Sequence, residues 1–274
     1  GLTAEQSPRI GQQVIGLGFI DALSESSILA NADENDANGD GISGKANYVW
    51  NVKENKSTIG KFGWKANQPS LEQQVAAALS GDMGLTTSIF PEENCPDGVD
   101  CSEHFNGVND GDTVEVPDTQ FSRLMTYQAA ISVPIRRDFT DIDVLKGKEL
   151  FNELACVSCH VNNFTTSDYS FLPQLENITI RPYSDFLLHD MGEELSDNKS
   201  DFLATGSEWR TQPLWGLGLI ELVNEHTFLL HDGRARNIEE AILWHGGEAE
   251  TSKNNFMELA LEEREQLLLF LNSL

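Results

Sequence analysis

Basic residues are scarce in this chain: 18 lysines and arginines stand against 44 aspartates and glutamates, a formal net charge of −26. Such a surface repels phosphate, which argues against nucleic-acid binding and disfavours an anionic membrane surface. It suits a cationic partner steered in by opposite fields, and equally a solvated acidic surface of the salt-adapted kind. Long apolar runs are also missing. None approaches the ~18 residues of a membrane-spanning helix, and Gly1 leads directly into a polar stretch with no signal peptide. What is present, 39% hydrophobic residues in 274, suffices for a globular core and two modest domains.

Cysteine is limited to four residues, in two pairs. One pair lies in Cys156-Val157-Ser158-Cys159-His160. Thiols three apart on a helical turn reach the two vinyl groups of one porphyrin, and the adjacent imidazole is then held beneath the iron. A redox Cys-x-x-Cys needs no neighbouring histidine and usually follows a strand in a βαβ unit. A zinc site wants a second ligand pair at similar spacing, and none is evident. The spacing therefore predicts one covalent haem c on Cys156 and Cys159, with His160 as its proximal ligand. Such attachment normally occurs in the periplasm or another extracytoplasmic space, so an export signal is expected to have been removed. The other pair, Cys95 and Cys101, brackets a loop with Pro96 and Gly98 that can close as a disulfide in an oxidising compartment. A zinc pair helped by His104 is the alternative.

Val144, Gly147, Phe151 and Leu154 fall at helical intervals just before the motif. Leu267, Phe270, Leu271 and Leu274 repeat the pattern at the far end. Gly147 is small enough to let two helices cross closely, as the first and last helices of small c-type cytochromes do.

The sequence also repeats itself. Ile15-Gly16-Leu17-Gly18-Phe19-Ile20-Asp21-Ala22-Leu23 matches Trp215-Gly216-Leu217-Gly218-Leu219-Ile220-Glu221-Leu222-Val223 at an offset of 200, from 16 to 216. Arg9 and Arg210 precede the two copies with a small slip, and Ser70–Val75 echoes Asn237–Ile242. Self-similarity in fixed order points to duplicated units. The expected fold is mainly α, with two pseudo-repeated, cytochrome c-like lobes. Residues 1–135 would be the distal part of a first lobe, carrying an insertion over 85–120, and 136–274 a complete second lobe. The haem-binding segment of the first would lie before Gly1.

Asp36-x-Asn38-x-Asp40-Gly41-Ile42 opens like a calcium loop: oxygen ligands at positions 1, 3 and 5, glycine at 6 and a carbonyl at 7. The twelfth position is Asn47 rather than glutamate, Asp33 stands nearby, and an Asx-rich turn is the competing reading.

The chain resembles the bacterial di-haem cytochrome c peroxidase superfamily, and most closely its di-haem oxidoreductase ("thiol oxidoreductase") branch. The segments that carry the likeness are Asp36–Gly44, Phe62–Gln68, Asp82-Met83-Gly84, His189-Asp190-Met191-Gly192, Glu208–Thr211 and His231–Arg236, the last running on through Ala241–Ala249. They span nearly the whole chain except 85–135. The resemblance implies an electron-entry haem in the C-terminal lobe and a second, peroxide-reducing haem in the N-terminal one.

Residue by residue, the resemblance implies the following. The family's sixth ligand to the C-terminal haem lies twelve positions after the glycine of the His-Asp-Gly run. That position is His245, where the peroxidases place methionine; Met191 is the second candidate. His231 would brace the pocket, Arg210 and Arg234 would pair with haem propionates, and Trp215 and Trp244 would flank the cofactor. Trp64 corresponds to the tryptophan between the haems, Gln74 ten residues later to a catalytic glutamine, and Asp82, two residues early and shorter than the family's glutamate, to its acid–base group. Met83 as a closing ligand of the second haem is the alternative to an open site. Calcium between domains is a family feature. The implied role is electron transfer from a small, cationic donor protein to a peroxide-reducing haem in a longer parent. A mono-haem carrier or a non-catalytic haem-binding sensor is the alternative.

Overall fold

The computed structural model describes residues 6–95, 98–101, 107–108 and 111–274. Helix accounts for 37% and strand for 10%, so the chain is mainly α. The first half holds α1 (Leu17–Asp21), α2 (Glu25–Leu29), the hairpin β1 (Tyr48–Asn51) with β2 (Lys56–Ile59), α3 (Leu71–Met83) and α4 (Asp118–Ala130). The second opens with α5 (Ile142–Glu153) and two short antiparallel ladders, β3 (Phe164–Thr165) with β4 (Thr179–Ile180), and β5 (Leu188–Asp190) with β6 (Glu208–Arg210). It closes with α6 (Ile220–Asn224), α7 (Ile238–Leu243), α8 (Glu250–Glu258) and α9 (Leu261–Ser273). No helix among the described residues is long and apolar enough to cross a membrane.

Helix starts follow local chemistry. The side chains of Ser24, Ser70, Asp141 and Asn237 accept early backbone amides of α2, α3, α5 and α7, each cap contributing about 1 kcal/mol. Helices α5 and α9 then cross through the apolar stripes read from the sequence: Val144, Phe151 and Leu154 bury against Leu267, Phe270, Leu271 and Leu274. A Cβ on Gly147 would lie 1.9 Å from the Gln266 carbonyl oxygen, so the backbones touch where only glycine fits. Phe151, Tyr183 and Phe270 pack ring to ring at 5.3–5.9 Å around the crossing.

The larger core joins Ile20 and Leu23 to Leu71, Ala76 and Leu79 of α3 and Phe121, Met125 and Ala129 of α4. Phe164, Ile180, Phe186, Leu187 and Trp215 are buried in the same core. Packing therefore crosses residue 135: the short ladders after the Cys-His motif cannot bury their own apolar faces and lay them on the first-half helices.

Equivalent positions of the sequence repeat make matching contacts. Gly16 and Gly216 both adopt left-handed backbone (φ 70° and 75°) ahead of the matching helical turns. The Gly16 amide donates to Ile131 O, just past α4, and the Gly216 amide to Leu274 O, just past α9. Cβ atoms on Gly18 and Gly218 would strike the carbonyls of Ala129 and Asn272 at 2.2 and 2.0 Å. In both comparisons the partners stand 143 positions apart, so α4 is the counterpart of α9. Gly16 lies against Trp215 and Gly216 against Ile15, a reciprocal contact between equivalent positions. Gln12 Nε2 donates to Gln212 Oε1 at 2.5 Å, a bond between residues one repeat offset apart.

Cys95 and Cys101 are joined as a disulfide in the irregular stretch between α3 and α4; His104 lies outside the described residues. The Asp36–Ile42 loop closes on itself. Asp33 accepts the amides of Ala37 and Asn38, Asp36 that of Gly41, Asn38 that of Asp40 and Asp40 that of Ile42. Asn47 points elsewhere, donating to Lys65 O and Asp201 O and accepting from Leu203 N. Among the described residues no group of three or more His, Cys, Asp or Glu side chains is arranged to hold a metal ion.

Candidate functional site

A cavity of about 1310 Å³ runs between the two halves of the molecule, above the ~300–1,000 Å³ of ordinary small-molecule pockets. Its wall includes Cys156, Cys159, His160 and His245 as well as Gln74 and Asp82, with Trp64, Trp209, Arg210, Trp215 and His231 also lining it.

The Cys156–Ser158 turn follows directly on α5, reversed by Ala155 in left-handed backbone. Both cysteines are free thiols. Burial pushes Cys156 up to about 12 and Cys159 upward as well, the opposite of the depressed thiol of a redox Cys-x-x-Cys. His160 Nδ1 donates to the Tyr183 carbonyl at 2.8 Å, and His245 Nδ1 to the Ala241 carbonyl at 2.7 Å. With the proton fixed on Nδ1, Nε2 of each ring is the lone-pair nitrogen, the tautomer and orientation a metal-ligating imidazole takes. Burial holds His160 down to about 4 and lowers His245 too, so both rings are neutral donors at neutral pH. Met191 borders the same cavity.

Arg210, on β6, is 5% exposed. Its Nε donates to Gly63 O and one Nη to Gln212, while Nη1 is buried with no partner among the described residues. A buried guanidinium with an unused donor on a cavity wall suits a carboxylate-bearing ligand such as a haem propionate. Two neutral imidazoles, two paired thiols and this open donor therefore fit a haem c. His231 stacks on Trp209 with ring centroids 3.8 Å apart and is buried. Arg234 and Trp244 stand elsewhere. Arg234 is paired with Asp232 and Glu194 O, covers the Trp244 ring at 5.0 Å, and the two line a separate small cleft.

Gln74, Ala78 and Asp82 recur every four residues along the cavity-facing stripe of α3, with Met83 beside them. Asp82 and Met83 are exposed and Gln74 is half-buried. Trp64 is tied at the junction of the halves: its indole N–H donates to Ile10 O and its carbonyl accepts from the Arg210 amide.

One cluster on the wall has no counterpart among the sequence-derived assignments. His189, on β5 and 3% exposed, places Nε2 2.7 Å from Asp185 and Nδ1 2.7 Å from Glu248. Nδ1 also lies 3.5 Å from the Cys159 sulfur. Burial opposes its charge, but the hydrogen bonds to Asp185, Cys159 and Glu248 outweigh that and lift it to about 12. Glu248 is held down to about 2: its burial is outweighed by the bonds from His189 and Ser43. The Asp185–His189 spacing is the only local signal, since Glu248 lies 59 residues further on.

Residues 4–274 match the model of the family described as "Di-haem oxidoreductase, putative peroxidase". No curated protein matches the chain.

Proposed function

The chain belongs to the di-haem oxidoreductase family, and from that premise we propose that it is an electron-transfer unit of a peroxide-reducing enzyme. One haem c is bound through Cys156 and Cys159, with His160 and His245 as axial ligands and Arg210 as the propionate partner. The observation that carries this reading is the matched pair of imidazoles on the wall of one cavity, each with Nδ1–H tied to a backbone carbonyl. When bound, the haem supplies one-electron redox chemistry; His/His ligation usually gives a lower potential than His/Met.

The part of the cavity lined by Gln74 and Asp82 is the bed of a second haem. The matching contacts of the two repeat segments support this. On α9, Gln266 and Phe270 are buried where α5 crosses. Their counterparts on α4, Arg123 and Tyr127, are exposed, Tyr127 by 66%. A helix that precedes a second Cys-x-x-Cys-His segment would cover them. Peroxide reduction to two waters takes up two electrons and two protons. Gln74 would orient the peroxide, and Asp82 would move a proton between its oxygens, while Trp64 stands on the path between the haems. The donor is a small cationic protein drawn by the charge of −26. Covalent attachment and the Cys95–Cys101 disulfide both suit an extracytoplasmic compartment.

The test is an optical spectrum with an intact mass. Matured protein of this sequence is expected to carry one covalent, low-spin haem, and protein isolated from its native host two per polypeptide. A colourless product with the bare polypeptide mass refutes the haem assignment. A native protein with one haem refutes only the second bed.

A further inference from the structure

We infer that His189 is a positioning residue for the covalent haem: a fixed cation that locks the attachment turn to the loop behind His245 and sets the potential of the haem iron. This rests on the haem assignment above, with Cys159 as an attachment residue.

The charge follows from geometry. A neutral imidazole donates through one nitrogen and accepts through the other. Here both nitrogens lie 2.7 Å from carboxylate oxygens, Asp185 Oδ2 and Glu248 Oε2. A lone pair facing either carboxylate would be repelled, so both nitrogens carry protons and the ring is an imidazolium. Asp185 and His189 are 1% and 3% exposed, which leaves the pairs little screened by solvent.

The placement gives that charge its role. Asp185 accepts from the Leu187 amide, and its own amide donates to the Cys159 carbonyl, so it is fastened to the attachment turn. Glu248 lies three residues past His245 and accepts from the Ser43 amide, the Ser43 hydroxyl and the Asp190 amide. His189 is the link between these two anchored carboxylates. It closes a chain from the proximal side of the site to the distal side, and through Ser43 to the end of the Asp36–Ile42 loop. Gly44 keeps the space over the ring shut, since a Cβ there would lie 3.1 Å from His189 Cε1. At 3.5 Å from the Cys159 sulfur, the imidazolium sits against the atom that would carry the thioether. A cation there favours the reduced iron, which carries one positive charge fewer, and so raises the potential; each carboxylate acts in the opposite sense.

The experiment is an equilibrium redox titration of the haem-loaded protein, followed by its visible spectrum, for the parent and the variants His189→Gln, His189→Lys and Glu248→Gln. The midpoint is expected to fall in His189→Gln, to recover towards the parent in His189→Lys, and to rise in Glu248→Gln, each with a low-spin spectrum. Midpoints that stay at the parent value, or shifts of one sign in His189→Gln and Glu248→Gln, overturn the inference. If His189→Gln does not retain haem, the other two decide: Lys at the parent midpoint with Glu248→Gln raised supports it, and any other pair of results overturns it. A parent protein without haem fails the underlying assignment instead, and its spectrum shows this before any titration.

Discussion

Gly147→Ala separates helix propensity from tertiary packing, because the two predict opposite signs. Gly147 sits inside α5, and alanine there should stabilise the helix by about 1 kcal/mol through propensity alone. The structure says otherwise. The new methyl would lie 1.9 Å from Gln266 O and 2.9 Å from Phe270 Cβ. The first contact is backbone of a helix, which cannot rotate aside, so α5 and α9 must part by roughly an ångström to restore van der Waals separation. That opens the packing of Phe151, Leu267 and Phe270, a change of the kind that costs about 1–3 kcal/mol and occasionally more. Subtracting the propensity gain leaves a net loss of about 0–2 kcal/mol, or up to roughly 8 °C in Tm for a chain of this size. Thermal unfolding followed by far-UV circular dichroism reads it directly. A variant that melts above the parent temperature, by the roughly 1 kcal/mol that propensity alone would add, would show that the helices do not touch at Gly147 and would refute the crossing.

Other outcomes follow from the same geometry. His245→Ala is expected to convert a low-spin spectrum to high-spin and to open the ferrous haem to carbon monoxide; an unchanged spectrum would reassign the ligand to Met191. Arg210→Met should cost about 1–3 kcal/mol, because it strips the donors from half-buried Gly63 O and from Gln212; urea unfolding of the haem-loaded protein checks it, and no change in midpoint would count against the propionate contact as well. Without iron ligation, as in Cys156→Ala/Cys159→Ala, His160 gives a defined pH dependence. Its folded pKa of about 4 lies below the unfolded value of 6.5. The unfolded state therefore binds the proton first. Stability is full above 6.5 and falls by up to ~3 kcal/mol as pH drops towards 4, with His245 adding loss of the same sign. Urea titrations at pH 7 and pH 4.5 that give equal stability would contradict the buried, neutral imidazoles.

Legibility in the sequence tracked the distance between partners. The apolar stripes of α5 and α9 and the helical turn at Cys156–Ser158 are local patterns, and each forms where its spacing placed it. Gly147 could be singled out because a small residue in an apolar helix face has few other uses. The cluster on His189 could not, since its partners come from three separate segments, around Asp185, Glu248 and Ser43, and no periodicity joins them. Arg234 illustrates the converse. Its motif context suggested a cofactor, but a carboxylate two residues away, Asp232, captures the guanidinium first. Lys65 is fully buried, held by Asp197, Thr205 O and Gly206 O from residues far along the chain, and nothing around it in sequence announces a buried cation.

A duplication would account for one cavity lined from both halves. If two copies of a unit pack about a two-fold, the residues nearest the axis must meet their own equivalents, as Gln12 meets Gln212 and as Ile15 and Trp215 each cover the other's glycine. A surface so made is self-complementary and stays so only while both copies keep small residues at the same places. Gly16 and Gly216 do, and both also need the left-handed backbone that starts the following turn. Substitution at either glycine should therefore disturb the seam rather than one half alone. The same seam carries Trp64 and Arg210, joined backbone to backbone. The contact between the matched segments therefore fixes the cavity wall at Trp64 and Arg210.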